Sequence, residues 1–167
     1  MAKKTLTVGL SATEIDKAIQ EVNRIKQGLN LAVKSLLNEL VNEGKQIARI
    51  EIASLGAIDT GELENSIDGY YDESRGIGVI FTDCPYAIYV EYGTGIEGAR
   101  KPHPQPIGWN YDGNGHGDSG WWYHSEKDGE IHWTKGMPSR PFMYNTKELL
   151  QQRLKSIALK EFEVTIR

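Results

Sequence analysis

From Ser11 to Gly56 apolar residues recur at intervals of three and four, and a stretch of that length with that period can only be predominantly helical. Ser11-Ala12-Thr13-Glu14 has the spacing of a capping box, in which the serine and glutamate side chains each accept from the other's backbone N–H. Behind it Ile15, Ala18, Ile19, Val22 and Ile25 share one face, and Gly28 is expected to end or bend this first helix. A second amphipathic segment carries Leu29, Val33, Leu36, Leu37, Leu40, Gly44, Ile47, Ala48 and Ile52 on one stripe. Continuous from 29 to 54, it spans about 39 Å at ~1.5 Å per residue. Gly44 and Ala48 on the stripe mark either a close approach by another element or a kink, and Gly56 closes the helix.

The remaining elements are shorter. Leu6, Val8 and Leu10 alternate within 4–10 as a half-buried strand does. Asp59-Thr60-Gly61-Glu62 can cap a short helical turn carrying Leu63 and Ile67. A hairpin follows, with a strand at 67–72, a Glu73-Ser74-Arg75-Gly76 turn, and Ile77, Val79 and Phe81 alternating on the return. Tyr86-Ala87-Ile88-Tyr89-Val90-Glu91-Tyr92-Gly93-Thr94 is the densest apolar and aromatic run. Its periodicity fits strand or helix. Asp83 as N-cap, Pro85 in the first turn and Gly93 as a left-handed C′ residue favour a short helix. After Met137-Pro138-Ser139-Arg140-Pro141-Phe142-Met143, a last helix near 144–159 presents Leu149, Leu150, Leu154, Ile157 and Ala158. Phe162, Val164 and Ile166 then alternate as a terminal strand. The expected class is α+β: a mainly antiparallel sheet packed against two long helices and a C-terminal helix, in one domain over 1–167.

Residues 95–136 stand apart. They hold all four tryptophans, all four histidines, three of the six prolines and half of the eighteen glycines, so this segment reads as an insertion. Prolines at 102, 104 and 106 keep the chain extended, giving an arm over 95–107. Gly120–His124 and Glu130–Thr134 flank Glu126-Lys127-Asp128-Gly129 as a second, aromatic hairpin. Both pieces are too punctuated by glycine and proline to complete the scaffold core, and are expected against a neighbouring subunit.

Bulk properties narrow the classes. A net charge of −4 and a pI near 5.6 leave no electrostatic footprint for nucleic acid. Apolar runs fall short of a membrane span, no signal peptide opens the chain, and cytoplasmic synthesis is expected. One cysteine, Cys84, excludes an intrachain disulfide and is expected as a buried thiol. His116, His124 and His132 recur every eight residues near Asp112, Asp118 and Asp128, which raises a metal-dependent hydrolase. Hairpin parity tests that idea: an even loop puts His124 and His132 on opposite faces, an odd loop sets them side by side. Gly-x-Ser-x-Gly is missing, and Gly93-Thr94-Gly95 lacks the lysine of a phosphate loop. Glu91 is either an acid catalyst or a hydrogen-bond partner of a backbone N–H or an arginine. The Trp121-Trp122-Tyr123 cluster with Trp133 fits a carbohydrate-binding platform, a protein-contact surface, or a hairpin burying its own rings.

Three blocks occur in order: Asp59-Thr60-Gly61-x-Leu63-x-x-Ser66-Ile67, then Tyr86-Ala87-x-Tyr89-Val90-Glu91-Tyr92-Gly93-Thr94, then Pro141-Phe142-Met143 before the last helix. This order resembles the tailed-bacteriophage neck and tail-component family of the gene-product-ten type, over about 55–95 and 137–160. The resemblance implies a non-enzymatic virion protein without cofactor or metal, forming a ring in head–tail joining or tail completion. It also implies partners: copies of itself, adjoining connector or head-closure proteins, and tail-terminator or tail-tube proteins. DNA would be met only by proximity in the lumen. The residues of the three blocks are then candidates for the interface, with Trp121, Trp122 and Trp133 as further contacts. The 95–136 insertion departs from the family's short link.

Overall fold

The structure, a computed structural model, describes residues 7–9, 11–58, 60–116, 119–125 and 128–165. One helix dominates it. α1 (Ala12–Ser54) runs unbroken for 43 residues behind the predicted Ser11–Glu14 capping box, about 65 Å at ~1.5 Å per residue. The two helices expected on either side of Gly28 are therefore one. A lone glycine costs only about 1 kcal/mol, too little to interrupt a helix so well supplied on both sides. At its far end Gly56 (φ +63°) forms a Schellman turn, its N–H bonding Ala53 O and that of Ala57 bonding Ile52 O.

α5 (Phe142–Thr165) lies antiparallel along the C-terminal half of α1. The pairing is read in order from Glu51–Asn145 through Glu43–Arg153 to Glu39–Lys160 and Ser35–Glu161. The expected terminal strand is instead the last turns of this helix, and Ile166 and Arg167 lie outside the described residues. The alternation of Phe162 and Val164 does not make a strand, because this segment continues the helix that packs along α1. The strand expected at 4–10 falls largely outside the described residues, and 7–9 are not in a strand.

Between the long helices come α2 (Glu62–Asn65) and a ribbon of β1 (Ile67–Asp72) and β2 (Ile77–Thr82), with Ile67 opposite Thr82 and Asp72 opposite Ile77. α1 crosses this ribbon closely. A Cβ at Gly69 would sit 2.9 Å, and one at Gly78 2.7 Å, from the methyls of Val41. Gly44 is the close approach anticipated, pressed against Ile80 and Leu150. α3 (Ala87–Tyr92), α4 (Gly95–Arg100), a second ribbon of β3 (Trp121–His124) and β4 (Ile131–Thr134), and the short β5 (Gly136–Met137) complete the α+β architecture. The strands thus form separate two-stranded ribbons, not one sheet. Ala48, Ile52, Leu63, Ile67, Cys84, Ala87, Val90 and Phe142 make the core. The predicted buried thiol is among them. No described helix is long and apolar enough to cross a membrane.

Candidate functional site

The chain's unusual chemistry collects where α3, the start of the insertion and the start of α5 meet. α3 is the short helix favoured above, but its caps differ. Tyr86 occupies the N-cap without a side-chain bond, so Asp83 and Pro85 play no such part. Gly93 has φ +80° with ψ 169°, an extended mirror-image conformation open to glycine and not the left-handed helical one expected. It turns the chain so that Thr94 and Gly95 bridge Met137 and Gly136 antiparallel. A Cβ there would stand 2.6 Å from Ser139 N and 2.8 Å from Met137 O. Ser139 Oγ donates to Glu91 O at 2.6 Å and Arg140 N to Val90 O at 2.9 Å. This seam delivers the first turn of α5 onto the Glu91 side chain.

Glu91 is only 8 % exposed. Its Oε2 accepts from Met143 N and its Oε1 from Tyr144 N, both at 2.9 Å. The carboxylate therefore caps a 24-residue helix from a different element, where free N–H groups and the helix dipole favour negative charge. The backbone N–H partner foreseen for Glu91 is present; among the described residues the arginine is not. In its place His103 Nε2 lies 3.1 Å from Glu91 Oε1. His103 Nδ1 accepts from Gln105 N at 2.9 Å, so the ring proton sits on Nε2 and is donated to Glu91. A neutral imidazole meets these bonds without a second proton. The ring, 4 % exposed, rests against Tyr92 at 4.4 Å between centroids and meets the edge of Tyr144 at 5.3 Å. Trp109 stacks on the Tyr92 ring at 5.0 Å and donates its indole N–H to Gly93 O at 2.9 Å.

The expected arm is corrected by these contacts. Residues 95–100 are helical, because the prolines that forbid helix begin only at 102. The following residues pack into the scaffold through His103 and Trp109. Nothing in the spacing of the sequence ties His103 to Glu91. The only signal is a histidine fixed between Pro102 and Pro104 in a rigid extended segment just after the motif.

Six of the motif residues lie buried within the subunit, which corrects their placement at an interface. Leu63, Ala87, Val90, Glu91 and Phe142 are buried by the chain itself, and Gly93 is buried too. Thr60 accepts from Glu62 N, Gly61 (φ +83°) is the N-cap of α2, and Ser66 Oγ meets Thr82 Oγ1 at 2.6 Å. Thr94 Oγ1 accepts from Met137 N at 3.2 Å, and Pro141 is half-buried. Burial, and next the Cys84 thiol, push the Tyr86 phenol up, while the Thr60 hydroxyl opposes them. Tyr89 alone of the tyrosines in this motif is well exposed, Tyr92 being half-buried. Asp59 lies outside the described residues.

The aromatic hairpin forms as expected, with Tyr123 opposite His132 and His124 opposite Ile131. That register leaves an even loop, and His124 and His132 point to opposite faces. His132 bonds Asp128 at 2.8 Å, and His116 stacks on Trp121 at 4.7 Å. The bond from Glu130 N, then those from Ser125 and His132, hold the Asp128 carboxyl down to about 2. Among the described residues no three His, Cys, Asp or Glu converge as metal ligands would, and Asp118 lies outside them. Trp121 faces inward, pressed between His116 and Gly95, so it is not the outward contact expected. Trp122 and Trp133, 65 % and 45 % exposed, pair edge-on across the outer face beside Ile131. Between α3 and the inner face lies a cleft of ≈ 620 Å³ whose rings, Trp109 and Trp121 foremost, are already stacked on protein. No protein-family model, curated protein or solved structure matches the chain.

Proposed function

We propose that the chain is a non-enzymatic structural subunit of a tailed phage, a prophage or a phage-tail-like particle, closing into a ring at the head–tail junction or tail end. The observation that carries this is the convergence of the three sequence blocks. Thr60 of the first acts on Tyr86 of the second, Leu63, Ala87, Val90 and Phe142 share one core, and Glu91 caps the helix begun by Pro141-Phe142-Met143. Three short motifs matched by chance have no reason to contact one another. Glu91 and His103 form the one buried acid–base pair among the described residues. Their partners are the α5 backbone and Gln105, which suits an anchor more than a catalyst. The exposed Trp122–Trp133 face supplies a surface for a heterologous, ring-closing contact. Partners in this view are neighbouring copies, a connector or head-closure ring, and a tail-terminator or tail-tube protein, in a virion assembled in the host cytoplasm.

The test is to purify particles from the source strain and examine them by mass spectrometry and electron microscopy. The chain should co-purify as a ring at the neck or tail end, and deleting its gene should leave unjoined heads and tails. Particles of full titre without the chain would overturn the proposal.

A further inference from the structure

The first eighteen residues of α1 carry an apolar face that neither α5 nor the first ribbon covers, with residues 7–9 beside Glu14, Lys17 and Ala18 at its start. The ladder to α5 ends at Ser35–Glu161, and Ala32 is the first buried residue of α1. Asn30 and Leu31 still lie beside Tyr71 and Glu73, so residues 12–29 project about 27 Å beyond α5 and the first ribbon at ~1.5 Å per residue. Along them Ile15, Ile19, Val22 and Leu29 are 42 %, 53 %, 54 % and 42 % exposed. They lie on the side of α1 that α5 and the first ribbon cover further along.

The spacing selects the partner. Ile15, Ala18, Val22, Ile25, Leu29 and Ala32 alternate by three and four, the 3.5-residue period of a seam between helices that supercoil around each other. A sheet, a membrane surface or a loop does not require it. The charges beside the seam select orientation. Glu14 and Glu21 flank it on one side, Ile19 and Lys26 on the other. In a parallel, in-register pair Glu21 of one helix lies beside Lys26 of the next, five residues on. In an antiparallel pair the glutamate flanks face each other, and like charges meet. Glu21 also holds Arg24 of its own helix at 2.9 Å, so the pairing adds to an existing cluster.

We propose that this half of α1 associates with the same half of other copies of the chain, parallel and in register. The pairing is independent of the virion proposal: a particle-free origin leaves it standing, and a monomeric chain leaves the ring to other surfaces.

The full chain is examined by sedimentation velocity and light scattering up to on the order of 100 µM. A discrete oligomer is expected. Val22→Cys should cross-link rapidly to itself under mild oxidation, with Gln20→Cys on the opposite side of the helix reacting far more slowly. The native Cys84 is buried and stays silent. Val22→Asp with Ile25→Asp should raise the dissociation constant about a hundredfold or more, since each copy brings charge into the seam. That variant should keep its melting temperature at dilutions where the parent is monomeric, because Val22 and Ile25 lie outside the buried core. A parent that is monomeric at every concentration, an oligomer unaffected by the double aspartate, or equal cross-linking of Gln20→Cys and Val22→Cys would each overturn the proposal.

Discussion

Replacing Glu91 by glutamine tests whether a cap reaching across from α3 holds α5 in place. The change preserves shape but removes the charge and half the acceptor capacity. Placing the amide oxygen at the Oε1 position keeps the bonds from Tyr144 N and His103 Nε2. The amide N–H₂ then confronts Met143 N, donor against donor, in a buried site. Flipping the amide leaves two donors facing N–H groups in place of one. Re-protonating His103 on Nδ1 breaks its bond from Gln105 N, so the ring gives no escape. One unsatisfied buried N–H costs about 1–3 kcal/mol, and loss of the charge at a partly buried helix terminus about 1–2 kcal/mol. The sum, about 2–5 kcal/mol, corresponds to a fall of roughly 4–20 °C in Tm for a chain of this size. Circular dichroism melts at neutral pH measure it, with Glu97→Gln as control. Glu97 pairs with exposed Arg100 at 3.1 Å, and such pairs contribute about 0–1 kcal/mol. If the two variants melt within a degree or two of each other, Glu91 does not anchor α5 and the account of the motif is wrong.

Gly93→Val should destabilise by more than about 3 kcal/mol, adding contacts with the Ser139 and Met137 backbone to a φ reserved for glycine. Gly113→Val, with no atom nearer than 3.8 Å to its new Cβ, should melt like the parent. The folded-state value of Asp128, about 2, lies below the ordinary 3.8. Its stabilisation of the hairpin turn is therefore complete above about pH 4 and lost as pH falls towards 2. Carbon-detected NMR titration should give a midpoint near 2, and a midpoint at or above 3.8 removes the turn bonds from consideration. Deleting 122–133 and joining Trp121 to Thr134, opposite each other in the ribbon, by two glycines should leave the melting temperature nearly unchanged. Deleting 100–136 takes away His103 and Trp109 and should lower it sharply; equal melting of the two deletions would mean the insertion is wholly peripheral.

What the sequence determined by itself is what short-range physics controls. The period of 11–56, the capping box, the glycine that closes α1 and both hairpins are each specified by residues a few positions apart. The even parity of the second hairpin loop, which separates His124 from His132, was open in the sequence and settled by register. Gly28 was misread because a local penalty was judged without the long helix on either side of it. Phe162 and Val164 alternate as in a strand, yet their segment continues a helix that packs along α1. Tertiary structure alone decided that Glu91 should cap α5, since the carboxylate and the N–H groups it serves are 52 and 53 residues apart. It alone chose His103 from four histidines, turned Trp121 inward and left Trp122 and Trp133 outside. Such pairings follow from where the core brings the chain back upon itself, and that return depends on the packing of all the elements at once.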